Sequence, residues 1–131
     1  MADRIKTYKD LHVYQNAMDV AMEIFEITKK FPPEEKYSLV DQIRRASRSV
    51  CTNIAESWRK RRYKAAFIAK LSDSETEACE IQVLIEFSKR CGYLNSEPAI
   101  KLDEKYEIIM AQIIKMINQP DKWIIKKSIN R

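Results

Sequence analysis

A chain of 131 residues with a single glycine has almost no place to reverse through a left-handed backbone, so its segments must be long and its breaks few. The breaks stand at Pro32-Pro33, at Cys91-Gly92-Tyr93-Leu94 and at Pro120. Between them apolar residues return at alternating steps of three and four, the seam of a packed helix. One third of the residues are charged, and good helix formers abound. All-α is the expected class. A chain of this length fits one domain, residues 1–131, able to hide roughly two thirds of the surface its unfolded form exposes. No internal repeat, low-complexity stretch or linker divides it.

Helix one carries two seams, Leu11, Tyr14, Met18, Ala21, Phe25 and Thr28 beside Val13, Ala17, Val20, Ile24, Ile27 and Phe31. A helix apolar on two adjacent stripes has more to bury than one partner covers, which predicts contact with several helices or another subunit. Helix two starts either at Pro33, with Glu34 and Glu35 against the N-terminal dipole, or at Ser38, with Asp41 completing a capping box. Its seam is Val40, Ile43, Ser47, Val50, Ile54 and Trp58.

Helix three is predicted from about Tyr63 to Arg90, with Phe67, Leu71, Ser74, Ala78, Ile81, Ile85 and Ser88 inward. Gly92 stands where a left-handed C′ residue is wanted, and Leu94 is placed for the accompanying hydrophobic contact. Asn95 or Ser96 caps helix four, Pro98 sits in its first turn, and Leu102, Tyr106, Ile109, Ile113 and Met116 form its seam. Met110, Ile114 and Ile117 widen that stripe. About residues 120–131 form a basic tail, amphipathic through Trp123, Ile124, Ile125 and Ile129. Short connections make neighbouring helices antiparallel, so the predicted architecture is an up-down-up-down four-helix bundle.

Charge is concentrated. The formal +5 arises mainly between Arg44 and Lys64, where eight Arg and Lys face Glu56 alone. The tail adds Lys122, Lys126, Lys127 and Arg131 against Asp121. Arg48, Arg59, Lys60, Arg61, Arg62 and Lys64 are candidate phosphate-neutralising residues, with Trp58 and Tyr63 beside them to stack on unpaired bases. Arg44 and Arg45 have a competing role as partners of Asp73, Glu75, Glu77, Glu80 and Glu86, a base-free stretch of helix three. Glu56 precedes Arg59 and Lys60 by three and four, the spacing of ordinary helical ion pairs. Gln42 and Asn53 border the apolar seam and are expected to hydrogen-bond between helices, fixing register.

No catalytic constellation accompanies this charge. One glycine cannot build a phosphate loop, a nucleophile elbow or a dinucleotide fingerprint. His12 has no second ligand at metal spacing, and the Glu-x-x-His element of di-iron bundles is absent. Neither a metal nor a cofactor is expected, and the chain reads as a non-enzyme. Cys51, Cys79 and Cys91 are odd in number and lack zinc or disulfide spacing, so they are expected to be reduced thiols. The opening MADRIKTYKD lacks a signal-peptide apolar run and no stretch approaches the ~20 apolar residues of a membrane span, which predicts a cytoplasmic protein.

The stretch FPPEEKYSLVDQIRRASRSVCTNIAES, Phe31 to Ser57, resembles the four-helix-bundle family encoded in intervening sequences of bacterial 23S ribosomal RNA genes. The family pattern F-P-x-E, L-x-x-Q-I-R-R-A, S-[IV]-x-x-N-I-A-E-G is met at Phe31, Pro32, Glu34 or Glu35, Leu39, Gln42 to Ala46, Ser49, Val50 and Asn53 to Glu56. L-x-V-Y-Q-x-A at Leu11 to Ala17 and Cys91-Gly92-Tyr93-Leu94 are similar too. Ser57 replaces the family's usual glycine, which leaves the end of helix two open.

The resemblance implies an antiparallel bundle assembling as a ring-like homopentamer. A related branch, the accessory variability determinant of diversity-generating retroelements, implies association with nucleic acid and a reverse transcriptase. The leading expectation is therefore an oligomeric adaptor for RNA, DNA or a ribonucleoprotein. The competing one is a protein scaffold whose basic face meets an acidic polypeptide.

Overall fold

The apolar seams become four helices, α1 His12–Thr28, α2 Leu39–Arg59, α3 Lys64–Arg90 and α4 Ser96–Asn118, in a computed structural model that describes residues 5–126. Short 3₁₀ turns at Tyr8–Asp10, Pro33–Glu35 and Pro120–Lys122 enter, join and follow them. No strand occurs among the described residues.

Each helix packs on its sequence neighbours, most extensively α2 on α3, and α4 closes the cycle against α1. Register identifies the directions. Asn16 meets Gln112 at 3.1 Å and Glu23 meets Lys105 at 2.7 Å, so numbers rising along α1 fall along α4. Ser74 Oγ donates to the Val50 carbonyl at 2.9 Å and Lys70 pairs with Glu56 at 2.8 Å, which sets α2 against α3 in the same sense. Gln82 reaches Glu107 while Lys64 reaches Asp121 beyond α4, giving α3 and α4 opposite directions as well. Arg44 bonds to Phe25 and Thr28 across the short connection from α1 to α2.

The predicted seams of α2, α3 and α4 are buried, but of the residues expected to widen the α4 stripe Met110 and Ile117 are half-buried and Ile114 is exposed. Phe67, Leu71, Ile81, Ile109 and Ile113 are completely enclosed, and each such side chain contributes about 1.5–3 kcal/mol of transfer free energy. On α1 the two seams divide. Val13, Ala17, Val20 and Ile24 of the second join the core, whereas the first is mixed, with Leu11, Ala21 and Thr28 buried, Tyr14 and Phe25 half-buried and Met18 38% exposed; Met22, on neither seam, is 51% exposed.

Both candidate starts of helix two leave a trace: Pro33 opens a 3₁₀ turn, and α2 proper begins after Ser38. The capping box with Asp41 does not form. Ser38 donates its hydroxyl to Glu35 at 2.6 Å instead, and the Glu35 carboxylate also accepts the Leu39 N–H. Ser57 does not stop the helix. Fully buried, it donates to the Ile54 carbonyl at 2.7 Å, and α2 continues to Arg59.

At the other end of the bundle Gly92 has φ 83, the Tyr93 N–H bonds to the Ser88 carbonyl and the Gly92 N–H to that of Lys89. These two bonds are the Schellman pattern. Tyr93 is therefore the C″ residue. It packs on Phe31 at 5.5 Å between ring centres and donates its hydroxyl to Glu35 at 2.8 Å, while Leu94 also packs against the core. The described part of the tail folds back on the turn between α2 and α3, where the Ile125 N–H bonds to the Arg61 carbonyl at 2.8 Å. Lys127, Ile129 and Arg131, counted in the predicted tail, lie outside the described residues.

Candidate nucleic-acid interface

The basic run splits into three environments because α2 ends within it. Arg59 is the last residue of the helix, Lys60 to Tyr63 make the turn, and Lys64 opens α3. Arg59, Lys60 and Arg62 are exposed, with no carboxylate at ion-pair distance among the described residues, and Tyr63 is 65% exposed beside them. Three cations and an open aromatic face therefore share one turn. Arg48 is exposed too, but it stands eleven residues before Arg59, about 16 Å away along the helix. It borders a groove of about 540 Å³ between α1 and α2 that Tyr14, Met18, Met22 and Phe25 line.

The other predicted contacts are engaged within the fold. Trp58 is only 9% exposed and cannot stack on a base, because it occupies the inward seam of α2. Arg61 lays its guanidinium 3.4 Å from the centre of the Trp58 ring and donates Nε to the Trp58 carbonyl at 2.8 Å and Nη1 to the Trp123 carbonyl at 3.5 Å. It fastens the tail, and burial lowers its pKa from the ordinary arginine value. Lys64 is paired with Asp121 at 3.1 Å.

Arg44 does not answer the acids of α3. Its Nε donates to Thr28 Oγ1 at 2.9 Å, its Nη2 to the Phe25 carbonyl at 3.2 Å, and its guanidinium lies 4.7 Å from the Phe25 ring centre. A cation at the carbonyl end of α1 meets orphan acceptors and the negative end of the helix dipole. Arg45 bridges to Asp41 in its own helix at 3.8 Å. Its charge also acts on Glu77, whose carboxyl is nonetheless raised, by burial first and then by Glu80 and Asp73.

Glu56 passes over Arg59 and Lys60 for Lys70 of α3, and this hydrogen bond raises the lysine above its ordinary value. Asn53 bonds within α2, Nδ2 to Ser49 Oγ at 3.2 Å, and Gln42 is exposed with no side-chain bond among the described residues. The amides that do cross between helices are Gln82, Asn16 and Gln112. They lie outside the basic stretch, and no charge pattern marks them.

His12 is exposed, and no group of three or more His, Cys, Asp or Glu able to hold a metal occurs among the described residues. The three cysteines are free: Cys51 is buried, donates toward the Ser47 carbonyl and is pushed up to about 11 by desolvation, while Cys79 and Cys91 are exposed. Among the described residues no helix is long and apolar enough to cross a membrane.

No curated protein matched the chain significantly. Among solved structures it is similar to a protein of unknown function from the S23 ribosomal protein family of Bacteroides thetaiotaomicron, at 25% identity and a TM-score of 0.72. That likeness covers 81% of this chain and 95% of the other. The model of the 23S rRNA-intervening sequence protein family matches residues 9–118. With nearly the whole bundle inside that match, the chain belongs to the 23S rRNA-intervening sequence protein family.

Proposed function

We propose that the protein is a non-catalytic, oligomeric adaptor that binds nucleic acid through the turn between α2 and α3. The observation that supports this most is the set of unpaired, exposed cations Arg59, Lys60 and Arg62 around exposed Tyr63. A folded domain usually pairs or disperses such charge, and here it is gathered at one turn. The cations supply sequence-independent attraction to phosphates, and the ring of Tyr63 offers a stacking surface that only an unpaired base can use. Single-stranded RNA or DNA is therefore the favoured ligand. A ribonucleoprotein, including one built on a reverse transcriptase, would meet the same cations.

Assembly follows from two apolar surfaces of different shape. The groove between α1 and α2 is concave and bordered by Arg48; the outer face of α3 carries Val83 and Phe87, 49% and 56% exposed, on a stripe with Glu80. The groove carries Arg48 and the α3 stripe carries Glu80, so the two differ in charge and lie on different helices. A contact between them is head-to-tail, the kind that closes a ring. The resemblance to the family makes that ring a pentamer, and each added copy of the basic turn increases avidity.

Fluorescence anisotropy with a single-stranded oligonucleotide, the matching duplex and heparin over a salt series tests the reading. Tighter binding of the single strand than of the duplex, with a slope of about −0.7 per neutralised phosphate, is expected. Ranking by charge density alone, with heparin first and the single strand last, would contradict it.

A further inference from the structure

A second basic site lies at the end of the bundle where α1 begins and α2 and α4 finish. There the structure leaves an open cleft of about 960 Å³, within the size range that holds nucleotide-sized molecules. Arg61, Lys115 and Lys122 line it against one acid, Asp10, whose carboxylate already accepts the Lys6 and Thr7 N–H groups at 2.8 and 3.1 Å. None of the three cations has a carboxylate at ion-pair distance among the described residues.

Arg61 is the decisive group. Two of its five N–H bonds are spent on the Trp58 and Trp123 carbonyls, which leaves three donors on a guanidinium whose carbon lies 3.4 Å from the centre of the Trp58 ring. A fixed, half-buried fork with spare donors is suited to a phosphate group. The carbonyl ends of α2 and α4 would justify a lysine or two nearby, but they account for neither the open volume nor the spare donors of Arg61.

We propose that this cleft binds a phosphomonoester, with Arg61 as the oriented donor and Lys115 and Lys122 as flanking charges. Arg61 belongs to the same turn as Lys60 and Arg62 but is engaged with Trp58 and the Trp123 carbonyl, and the proposal does not depend on the function assigned to the exposed cations of that turn. The phosphate belongs either to a free nucleotide or to the 5′ end of a strand.

Trp58 and Trp123 are the only tryptophans of the chain and both line the cleft, so intrinsic fluorescence reports its occupancy. Titration of the full chain with AMP at constant ionic strength should give a saturable change. Lys115 and Lys122 are exposed, so a K115Q/K122Q variant should fold normally and bind at least about tenfold more weakly, since each charge-assisted hydrogen bond contributes on that order. An oligonucleotide carrying a 5′-phosphate that binds more tightly than its 5′-hydroxyl twin, with the preference lost in K115Q/K122Q, assigns the site to strand ends; saturation by AMP without such a preference assigns it to free nucleotides. Absence of saturation by both AMP and the phosphorylated strand, or affinity unchanged in K115Q/K122Q, would overturn the proposal.

Discussion

Tyr106 of α4 is fully enclosed, and its hydroxyl has no hydrogen-bond partner among the described residues. Its ionisation is strongly opposed, by burial first and then by nearby Cys51 and Glu23. An unpaired buried hydroxyl costs about 1–3 kcal/mol, so Tyr106→Phe should stabilise the protein by about 1 kcal/mol, read as a shift in a urea midpoint at constant slope. A lower midpoint would show that the hydroxyl has a partner. Glu35 is the opposite case, since Ser38 and Tyr93 both donate to its carboxylate and lower its pKa from the ordinary 4.5. A carboxylate lowered on folding stabilises the fold above its unfolded pKa, and that contribution is lost as pH falls through the folded value. Tyr93 shares the bond from the other side, and its hydroxyl is pushed up to about 12, so its contribution is lost as pH rises above the ordinary 10. Tyr93→Phe should flatten both limbs of the stability profile, and limbs unchanged from the parent would rule the bond out.

Arg44 and Arg45 are adjacent in sequence yet belong to different structural units. Arg44 joins α2 to the end of α1 with two charge-assisted hydrogen bonds, whereas Arg45 forms one exposed pair within its own helix. Arg44→Gln should cost about 1–3 kcal/mol and Arg45→Gln about 0.5 kcal/mol or less. Equal losses in thermal melts would contradict this division. The pair also shows what periodicity can tell. The inward positions of α2, α3 and α4 follow from spacing alone, and Trp58 already stands on the α2 seam, which outweighs its nearness to the basic run. The partners of Arg44, Glu56 and Lys64 could not be read the same way, because long side chains choose among acceptors on helices whose rotation the seam fixes only coarsely. The turn of Arg59, Lys60 and Arg62 was legible as charge; the diversion of Arg61 to the tail was not, since Trp123 lies sixty-two residues away.

The apolar groove of α1 and α2 and the exposed Val83 and Phe87 of α3 include none of the residues of the basic turn. Assembly through the α1–α2 groove and the α3 ridge would leave the α2–α3 turn open, so each subunit could offer its cations to one ligand. Light scattering should then give a mass several times 15.5 kDa, and replacing Met18 and Met22 with Gln should lower it without loss of helicity. Removing charge at the turn tests the central claim most directly. In Arg59→Gln/Lys60→Gln/Arg62→Gln, anisotropy with single-stranded nucleic acid at fixed salt should show affinity reduced by about tenfold or more, with helicity and assembly retained, since three phosphate contacts are removed. Affinity equal to that of the parent protein would contradict the account and favour a basic face directed at an acidic polypeptide.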